Sequence, residues 1–380
     1  MTEQPNREYW NVMKGIGIVL VVMGHTCLSI YNYIYLFHLP LFFFISGYLY
    51  SEEKYGDKPF DNLINKIKTT WVKYVLVYWG YILLHNVFYS FHMIENKIVL
   101  EAAPFNLFDI VYQMVNAVFG MADEQMAGPL WFVPILVMGI VIMGFVIYFS
   151  RWISCKWGKL VGVDTTDNKT GKNEGKLVGG QIVKYGSQVI MVAILGSAGY
   201  WLESHGLRVP GNMQVAFVVM PFYYVGYLFR NTSIQWEKLL NLPCAIVAAV
   251  IVYIANLYYW LDLIFEIVYP TMHIVGFLGI YLCLYIGKVL VKIKDKSIAG
   301  NVERLIAFFG QASFTIMALH FVLLRIIDII YSNYAPGGSM EAYLEIPVAY
   351  SSTLWPVYLI VGLGVPSLVH LVFSRAKQKI

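Results

Sequence analysis

Ten long apolar stretches constrain this chain more than any other feature of its sequence. They lie at roughly 12–31, 34–50, 72–92, 128–149, 182–202, 213–229, 242–261, 267–287, 305–331 and 351–373. A stretch of about 17–25 apolar residues can cross the hydrocarbon core of a bilayer as a helix. Of all residues, 58% are hydrophobic and 13% charged, whereas soluble domains carry about 25% charged residues. We therefore predict an all-α integral membrane protein, a bundle of about ten transmembrane helices.

The loops between these stretches alternate in charge. The basic loops contain Lys54, Lys58, Lys66, Lys68, Lys73, Arg151, Lys156, Lys159, Lys169, Lys172, Lys176, Arg230, Lys238, Lys288, Lys292, Lys294, Lys296, Arg375, Lys377 and Lys379. The intervening loops are mainly acidic. Because lysine and arginine are enriched in cytoplasmic loops, the alternation predicts that both termini are cytoplasmic. The net charge of +4 is therefore explained by topology, and we expect no nucleic-acid partner.

The chain shows no internal repeat, so we predict a single polytopic domain over residues 1–380. A polar, glycine-rich run, DTTDNKTGKNEGKLVGG, predicts a flexible cytoplasmic loop at about 151–180. In the external segment 105–120, FNLFDIVYQMVNAVFG, apolar residues recur at helical spacing. This pattern predicts an interfacial or re-entrant helix. The four cysteines fall in spans or a cytoplasmic loop, so we expect neither a disulfide nor a metal site.

The first stretch holds two ionisable residues on one face. Lys14 and His25 are eleven residues apart in KGIGIVLVVMGHT, which is about three helical turns or ~16 Å along the axis. An ionisable side chain inside a bilayer is costly and therefore indicates a functional site. The simpler alternatives are a hydrogen-bonded histidine of the bundle interior and a lysine that extends to the membrane surface.

Motifs near the beginning, middle and end of the chain form a recognisable set. Lys14 and His25 are separated by ten residues, and FHLPLFFFISGYLY (37–50) follows them. GPLWFVPIL (128–136) opens a later span, and GQASFTIMALHF (310–321) supplies a glycine, a serine and a histidine. Together these segments resemble the acyltransferase-3 family of membrane O-acyltransferases, and in particular its fucose 4-O-acetylase-like subset.

The resemblance implies transfer of an acyl group, usually acetyl, from cytoplasmic acyl-CoA to a hydroxyl of an extracytoplasmic or lipid-linked glycan. It implies His25 as general base or transient acyl carrier, since a histidine can take up and return a proton near neutral pH. Lys14 is expected to act with His25 in catalysis. CoA is polyanionic, so we expect Lys14, Lys66, Lys68 and Lys73 to bind it at the cytoplasmic side. The implied location is the bacterial cytoplasmic membrane.

Further residues are candidates for binding the sugar. They are His38, Trp131, Ser313, His320 and Arg325. His38 opens the second stretch, and the short connection from Tyr31 to Tyr33 places it near His25. A plain interfacial histidine is the alternative for His38, and a wall or interface anchor for Trp131. Arg325 and Asp328 are three residues apart and could instead form a structural ion pair.

Two other classes of protein stay open at this point. A transporter or exporter of polysaccharide or lipid-linked sugar needs a polytopic architecture but no acyl transfer. Such proteins tend to show internal repeats and broken helices. A non-catalytic membrane scaffold would make His25 dispensable. The sequence predicts neither the identity of the acceptor sugar nor the oligomeric state.

Overall fold

The computed structural model describes residues 7–26, 30–94, 103–160, 174–232, 236–258, 271–293, 297–335 and 348–377, and all their regular elements are helical. The α-helices are α1 (Arg7–Thr26), α2 (Tyr31–Tyr35), α3 (His38–Tyr48), α4 (Glu52–Tyr55), α5 (Pro59–Lys66), α6 (Val72–Ser90), α7 (Leu107–Val118), α8 (Phe132–Leu160), α9 (Glu174–Ser204), α10 (Met213–Val218), α11 (Met220–Asn231), α12 (Trp236–Leu239), α13 (Leu242–Tyr258), α14 (Thr271–Lys292), α15 (Ser297–Gln311), α16 (Ser313–Tyr334) and α17 (Ser351–Lys377). A π-helical segment, Ile67–Trp71, joins α5 to α6. Two short 3-10 helices, Gln125–Trp131 and Pro210–Asn212, precede α8 and α10.

Five helical segments of the described residues are long and apolar enough to cross a membrane. They are Gln125–Gly158, Gly180–Ser204, Thr271–Lys292, Ser313–Tyr334 and Ser351–Ala376. The bent pair Pro210–Val218 and Met220–Asn231 would add a sixth. The all-helical prediction is confirmed for the described residues. The count of ten spans stays a prediction, as do the cytoplasmic termini.

Three of the predicted stretches are not continuous helices. The stretch at 34–50 is interrupted at 36–37, between α2 and α3. The stretch at 213–229 is bent by 66° between α10 and α11, where Pro221 in the first turn of α11 cannot donate a backbone hydrogen bond. The stretch at 305–331 is divided at Ala312, so Gln311 ends α15 and Ser313 begins α16. Gly310 precedes this break by two residues, and glycine is a poor helix former.

The segment expected to be a loop at 151–180 is helical at both ends. Helix α8 continues to Leu160 and α9 begins at Glu174. Arg151 explains part of the extension, because its guanidinium is bound by Glu52 (3.1 Å) and Asp57 (2.7 Å). The expected flexible portion from 161 to 173 lies outside the described residues.

The chain divides into two compact units. The first comprises residues 1–45, 74–132 and 233–380, and the second comprises 46–73 and 133–232. The single polytopic domain expected from the sequence stays a prediction.

In the first unit, α1 and α15 touch backbone to backbone. A Cβ atom on Gly15 would lie 1.9 Å from the carbonyl oxygen of Ile306, and one on Gly310 would lie 1.9 Å from that of Asn11. Only glycine permits such an approach, because any side chain would overlap these oxygen atoms. The contact fixes α1, and with it the face that carries Lys14 and His25.

In the second unit, Glu52 of α4 links four helices. Its carboxylate accepts hydrogen bonds from Lys184 Nζ (2.6 Å) and Arg151 (3.1 Å), and Tyr227 also donates to it. Burial acts to raise the pKa of Glu52, but the hydrogen bonds from Lys184 and Tyr227 and the charges of Lys184 and Arg151 outweigh it and lower the pKa. The carboxylate is therefore a charged anchor between α4, α8, α9 and α11.

Candidate active site

His25 lies in the last turn of α1, and the chain returns beside it almost at once. Tyr35 ends the short helix α2, and its Oη atom is 3.1 Å from His25 Nδ1. The two rings meet edge to face, with centroids 5.9 Å apart. A Cβ on Gly24 would lie 2.8 Å from the Tyr35 ring. Gly24 therefore leaves the space in which Tyr35 reaches His25.

His320 approaches His25 from α16. Its ring centroid lies 5.4 Å from that of His25, and the ring of Phe321 lies 5.6 Å from His25. His320 is fully buried, and its Nδ1 lies 2.8 Å from the carbonyl oxygen of Ile316. Since a carbonyl only accepts, Nδ1 of His320 must carry the proton. In the neutral ring, Nε2 is then a hydrogen-bond acceptor.

His38, the first residue of α3, completes the group. It is buried, and its Nδ1 donates to the carbonyl oxygen of Ile34 over 3.0 Å. Its ring centroid is 4.9 Å from that of Tyr35. The four rings thus form a row in the order His320, His25, Tyr35, His38, which we call the histidine–tyrosine row. The structure brings together the three histidines that the sequence proposed for the site.

A family model described as "Acyltransferase domain" matches residues 7–371, which is nearly the whole chain. The chain belongs to the acyltransferase-3 family. Neither the curated proteins nor the solved structures include a match to it. Family membership makes this protein an acyltransferase, and its apolar helices make it a multi-pass membrane protein. All members of the histidine–tyrosine row lie within the matched residues.

Arg325 and Asp328 of this acyltransferase form a buried ion pair on α16, with 3.3 Å between Arg325 NH1 and Asp328 Oδ2. Tyr358 donates to the other oxygen of Asp328, and Arg325 Nε donates to the carbonyl of Met93 over 3.3 Å. These contacts match the structural alternative for the pair. The role of Arg325 in binding the sugar stays a prediction.

Two other sugar-binding candidates lie near, but outside, the row. Trp131 ends the 3-10 helix Gln125–Trp131, which packs against α16. In that helix, a Cβ on Gly128 would lie 4.0 Å from the Phe321 ring. Ser313 begins α16, seven residues before His320 and therefore about 10 Å from it along the helix axis.

The basic candidates for binding CoA are divided between the units. Lys14 is half-buried on α1 in the first unit, whereas Lys66, Lys68 and Lys73 belong to the second. Lys68 and Lys73 are exposed, as a residue that binds a soluble polyanion requires. Their contact with CoA stays a prediction.

Sequence reasoning missed two features of the acyltransferase. Tyr35 was not singled out, because nothing in its local pattern distinguishes it from Tyr31 or Tyr33. His85 was left as background, yet its Nδ1 is 2.5 Å from Glu124 Oε2, and both side chains are buried. The two residues are 39 positions apart, so no spacing rule pairs them.

The pair His85–Glu124 helps to hold the segment expected to be external on α6. Tyr78 Oη donates to the carbonyl of Ala122 over 2.8 Å, and Trp79 Nε1 donates to that of Met114 over 2.9 Å. The helix expected at 105–120 is present as α7 and leaves the apolar side chains of Leu107 and Phe108 exposed. Its interfacial or re-entrant position stays a prediction.

Proposed function

We propose that this acyltransferase moves an acetyl group from cytoplasmic acyl-CoA to a hydroxyl of an extracytoplasmic or lipid-linked glycan, with His25 as the reactive centre. The resemblance to fucose 4-O-acetylases motivates the choice of acetyl donor and sugar hydroxyl. One observation carries the assignment of His25. Among the described residues, His25 is the histidine whose Nδ1 lies within hydrogen-bond distance of Tyr35 Oη. Its ring also lies beside that of the buried His320.

The hydrogen bond to Tyr35 is compatible with a reactive second nitrogen on His25. When Nδ1–H donates to Tyr35 Oη, the lone pair of the other ring nitrogen, Nε2, is left to react. Nε2 can remove the proton of the sugar hydroxyl as that oxygen attacks the thioester. It can also attack the thioester itself and carry the acyl group as an acyl-imidazole. Both routes use the same neutral tautomer.

The remaining sequence predictions complete this proposal. Ten spans with both termini in the cytoplasm would place Lys14 at the cytoplasmic end of α1 and His25 toward the opposite face. Lys14, with Lys66, Lys68 and Lys73, would bind the phosphates of CoA, since ammonium groups attract phosphate. Lys14 would also act with His25 in catalysis. The location proposed for this arrangement is the bacterial cytoplasmic membrane.

The acceptor side of the proposal rests on the other candidates. His38 and His320 would bind or orient the glycan from within the row, and Trp131, Ser313 and Arg325 would do so from outside it. Aromatic and imidazole rings offer flat faces and single polar atoms, which suit a sugar. The partners required are therefore membrane lipid and a glycan or lipid-linked sugar.

Membranes that contain the protein, supplied with acetyl-labelled acetyl-CoA and cell-envelope glycans, test the proposal. We expect base-labile label on a glycan with the wild type and its loss with His25→Gln at equal expression. His370→Gln is the matched control, because His370 lies on α17 of the same unit and contacts Thr315 and Phe308. It should transfer label like the wild type. Equal transfer by His25→Gln would reject His25 as the reactive centre.

A further inference from the structure

Among the residues that the structure describes, one ring nitrogen of the fully buried His320 has no hydrogen-bond partner. Its Nδ1 donates to the carbonyl oxygens of Ile316 (2.8 Å) and Met317 (3.1 Å). Its Nε2 has no hydrogen-bond partner among the described residues, although His320 is 0% exposed. Most buried polar atoms in proteins are hydrogen-bonded, so an exception calls for an explanation. A donor that arrives with a ligand would supply the missing bond.

The donor is inferred from the residue beside His320, which is His25, the histidine proposed to react with the acyl group. The ring centroids of His320 and His25 are 5.4 Å apart, and a hydrogen bond spans about 2.6–3.2 Å. A single hydroxyl can therefore contact His320 while its oxygen faces a group on His25. The backbone bonds to Ile316 and Met317 keep the proton on Nδ1, which leaves Nε2 ready to accept one.

We propose that His320 is the general base that removes the proton of the acceptor hydroxyl, while His25 carries the acyl group. This inference deepens the proposed function and rests on it. The two histidines thereby act on different atoms, His25 on the acyl carbon and His320 on the hydroxyl hydrogen.

The reaction balances in two steps. In the first, His25 Nε2 attacks the thioester carbon, the carbon–sulfur bond breaks, and CoA leaves as a thiolate. In the second, the sugar oxygen attacks the acyl carbon while its proton passes to His320 Nε2, and the carbon–nitrogen bond to His25 breaks. The thiolate is finally protonated, through solvent, by the proton that His320 releases. The net change is thioester plus alcohol to ester plus thiol.

A single substitution can remove the proposed base and keep its structural bond. The side-chain amide nitrogen of asparagine occupies the place of histidine Nδ1, so His320→Asn retains a donor for the carbonyl of Ile316 but has no Nε2. His205 offers a matched control, because its Nδ1 also bonds to the carbonyl four residues earlier, that of Trp201 (2.8 Å). His205 is exposed, and no catalytic role is assigned to it.

The experiment incubates full-length protein in membranes with acetyl-labelled acetyl-CoA and acceptor glycan. Rapid quenching and intact-protein mass spectrometry then measure acetyl on the protein, and label on the glycan is measured in parallel. For His320→Asn we expect transfer to fall by about 10²–10⁴-fold, while the acetylated fraction of the protein rises above that of the wild type. His205→Asn should match the wild type in both readouts.

The other possible results would overturn either this proposal or the proposed function on which it rests. Transfer by His320→Asn at the wild-type rate would overturn the assignment of His320 as base. A parallel fall in transfer and in protein-bound acetyl would also overturn it, because a structural defect lowers both. Acetyl that persists on His25→Gln protein would show that His25 is not the carrier. If the wild type itself neither transfers nor binds acetyl, the proposed function fails instead.

Discussion

At the scale of single residues, the hydroxyl of Tyr35 is the group that holds His25. Its Oη is 3.1 Å from His25 Nδ1, and a hydrogen-bond partner on one ring nitrogen restrains the orientation of the ring. Removal of that hydroxyl leaves the imidazole free to rotate and to exchange tautomers. The ring of the tyrosine, by contrast, can be kept in place by phenylalanine.

Tyr35→Phe should therefore lower the rate of acyl transfer by about 10- to 100-fold, the usual effect of losing a partner that orients a reactive histidine. Tyr31→Phe is the control, because Tyr31 lies one turn earlier on α2 and its ring contacts Tyr35 at 5.8 Å. It should keep near wild-type transfer. Equal rates for the two variants, measured with labelled acetyl-CoA at matched expression, would show that Tyr35 does not orient His25.

The buried pair Arg325–Asp328 predicts a large loss of stability on substitution. Asp328→Asn should lower the free energy of unfolding by about 3–5 kcal/mol, because it removes the carboxylate charge that lies 3.3 Å from a buried guanidinium. The double variant Arg325→Met/Asp328→Leu removes both charges and should lose less. Thermal unfolding in detergent measures both variants. A double variant less stable than Asp328→Asn would contradict the account.

The residues of the row show what the sequence can and cannot predict. His25, His38 and His320 could be chosen from sequence, because they lie in the segments that resemble the acyltransferase-3 family. Tyr35 could not, since its role depends on the return of the chain after α1 rather than on its neighbours. Glu124 was missed for the same reason, because its partner His85 is distant in sequence.

At the scale of helices, glycine decides which pairs can meet closely. Gly310 on α15 faces the backbone of α1, where a Cβ would lie 1.9 Å from the carbonyl oxygen of Asn11. Gly364 on α17 is also helical, yet no atom of the described residues lies within 4 Å of the Cβ it would carry. Substitution of Gly310 by alanine therefore tests the cost of steric overlap, whereas substitution of Gly364 by alanine tests the gain in helix propensity.

Gly310→Ala should lower the free energy of unfolding by about 1–3 kcal/mol, because the added methyl forces α1 and α15 apart. Gly364→Ala should leave it unchanged or raise it by up to about 1 kcal/mol, since alanine is the better helix former. Thermal unfolding of the two variants in the same detergent compares them. A neutral Gly310→Ala would show that α1 and α15 do not touch there.

The carboxylate of Glu52, at the contact of α4 with α8 and α9, makes the stability of the folded protein depend on pH. Its pKa is lowered from an ordinary value of 4.5 in the folded protein, so its contribution is complete above that value. It is lost as the pH falls through the lower, folded-state pKa. The difference in melting temperature between wild type and Glu52→Gln should be constant above about pH 6 and shrink below about pH 4. A difference that grows on acidification would contradict the assignment.

Helix boundaries show a similar limit of sequence reasoning. The bend before α11 has a visible cause in Pro221, although the apolar pattern runs through it without a break. The division at Ala312 has a weaker signal, since Gly310 is a poor helix former but the apolar pattern continues on both sides. Breaks of this kind depend on tertiary contacts, here the close approach of α15 to α1.

At the scale of the whole molecule, the charge alternation assigns a side of the membrane to each loop. Cys155 is exposed at the end of α8, in a loop expected to be cytoplasmic, and Asp123 is exposed in the segment expected to be external. In spheroplasts, a membrane-impermeant maleimide should label Asp123→Cys in a variant whose native cysteines are replaced. It should label a variant whose single remaining cysteine is Cys155 only after the membrane has been permeabilised. The reverse pattern would invert the topology.

Acyl transfer by the purified protein tests the central claim most directly. The full-length acyltransferase, reconstituted in lipid vesicles with labelled acetyl-CoA and acceptor glycan, should release CoA thiol and form an equal amount of base-labile glycan ester. His25→Gln should do neither at equal protein and equal thermal stability. Ester formation by His25→Gln at the wild-type rate would contradict the account. Glycan movement across the vesicle membrane by the wild type, without ester, would instead identify a transporter.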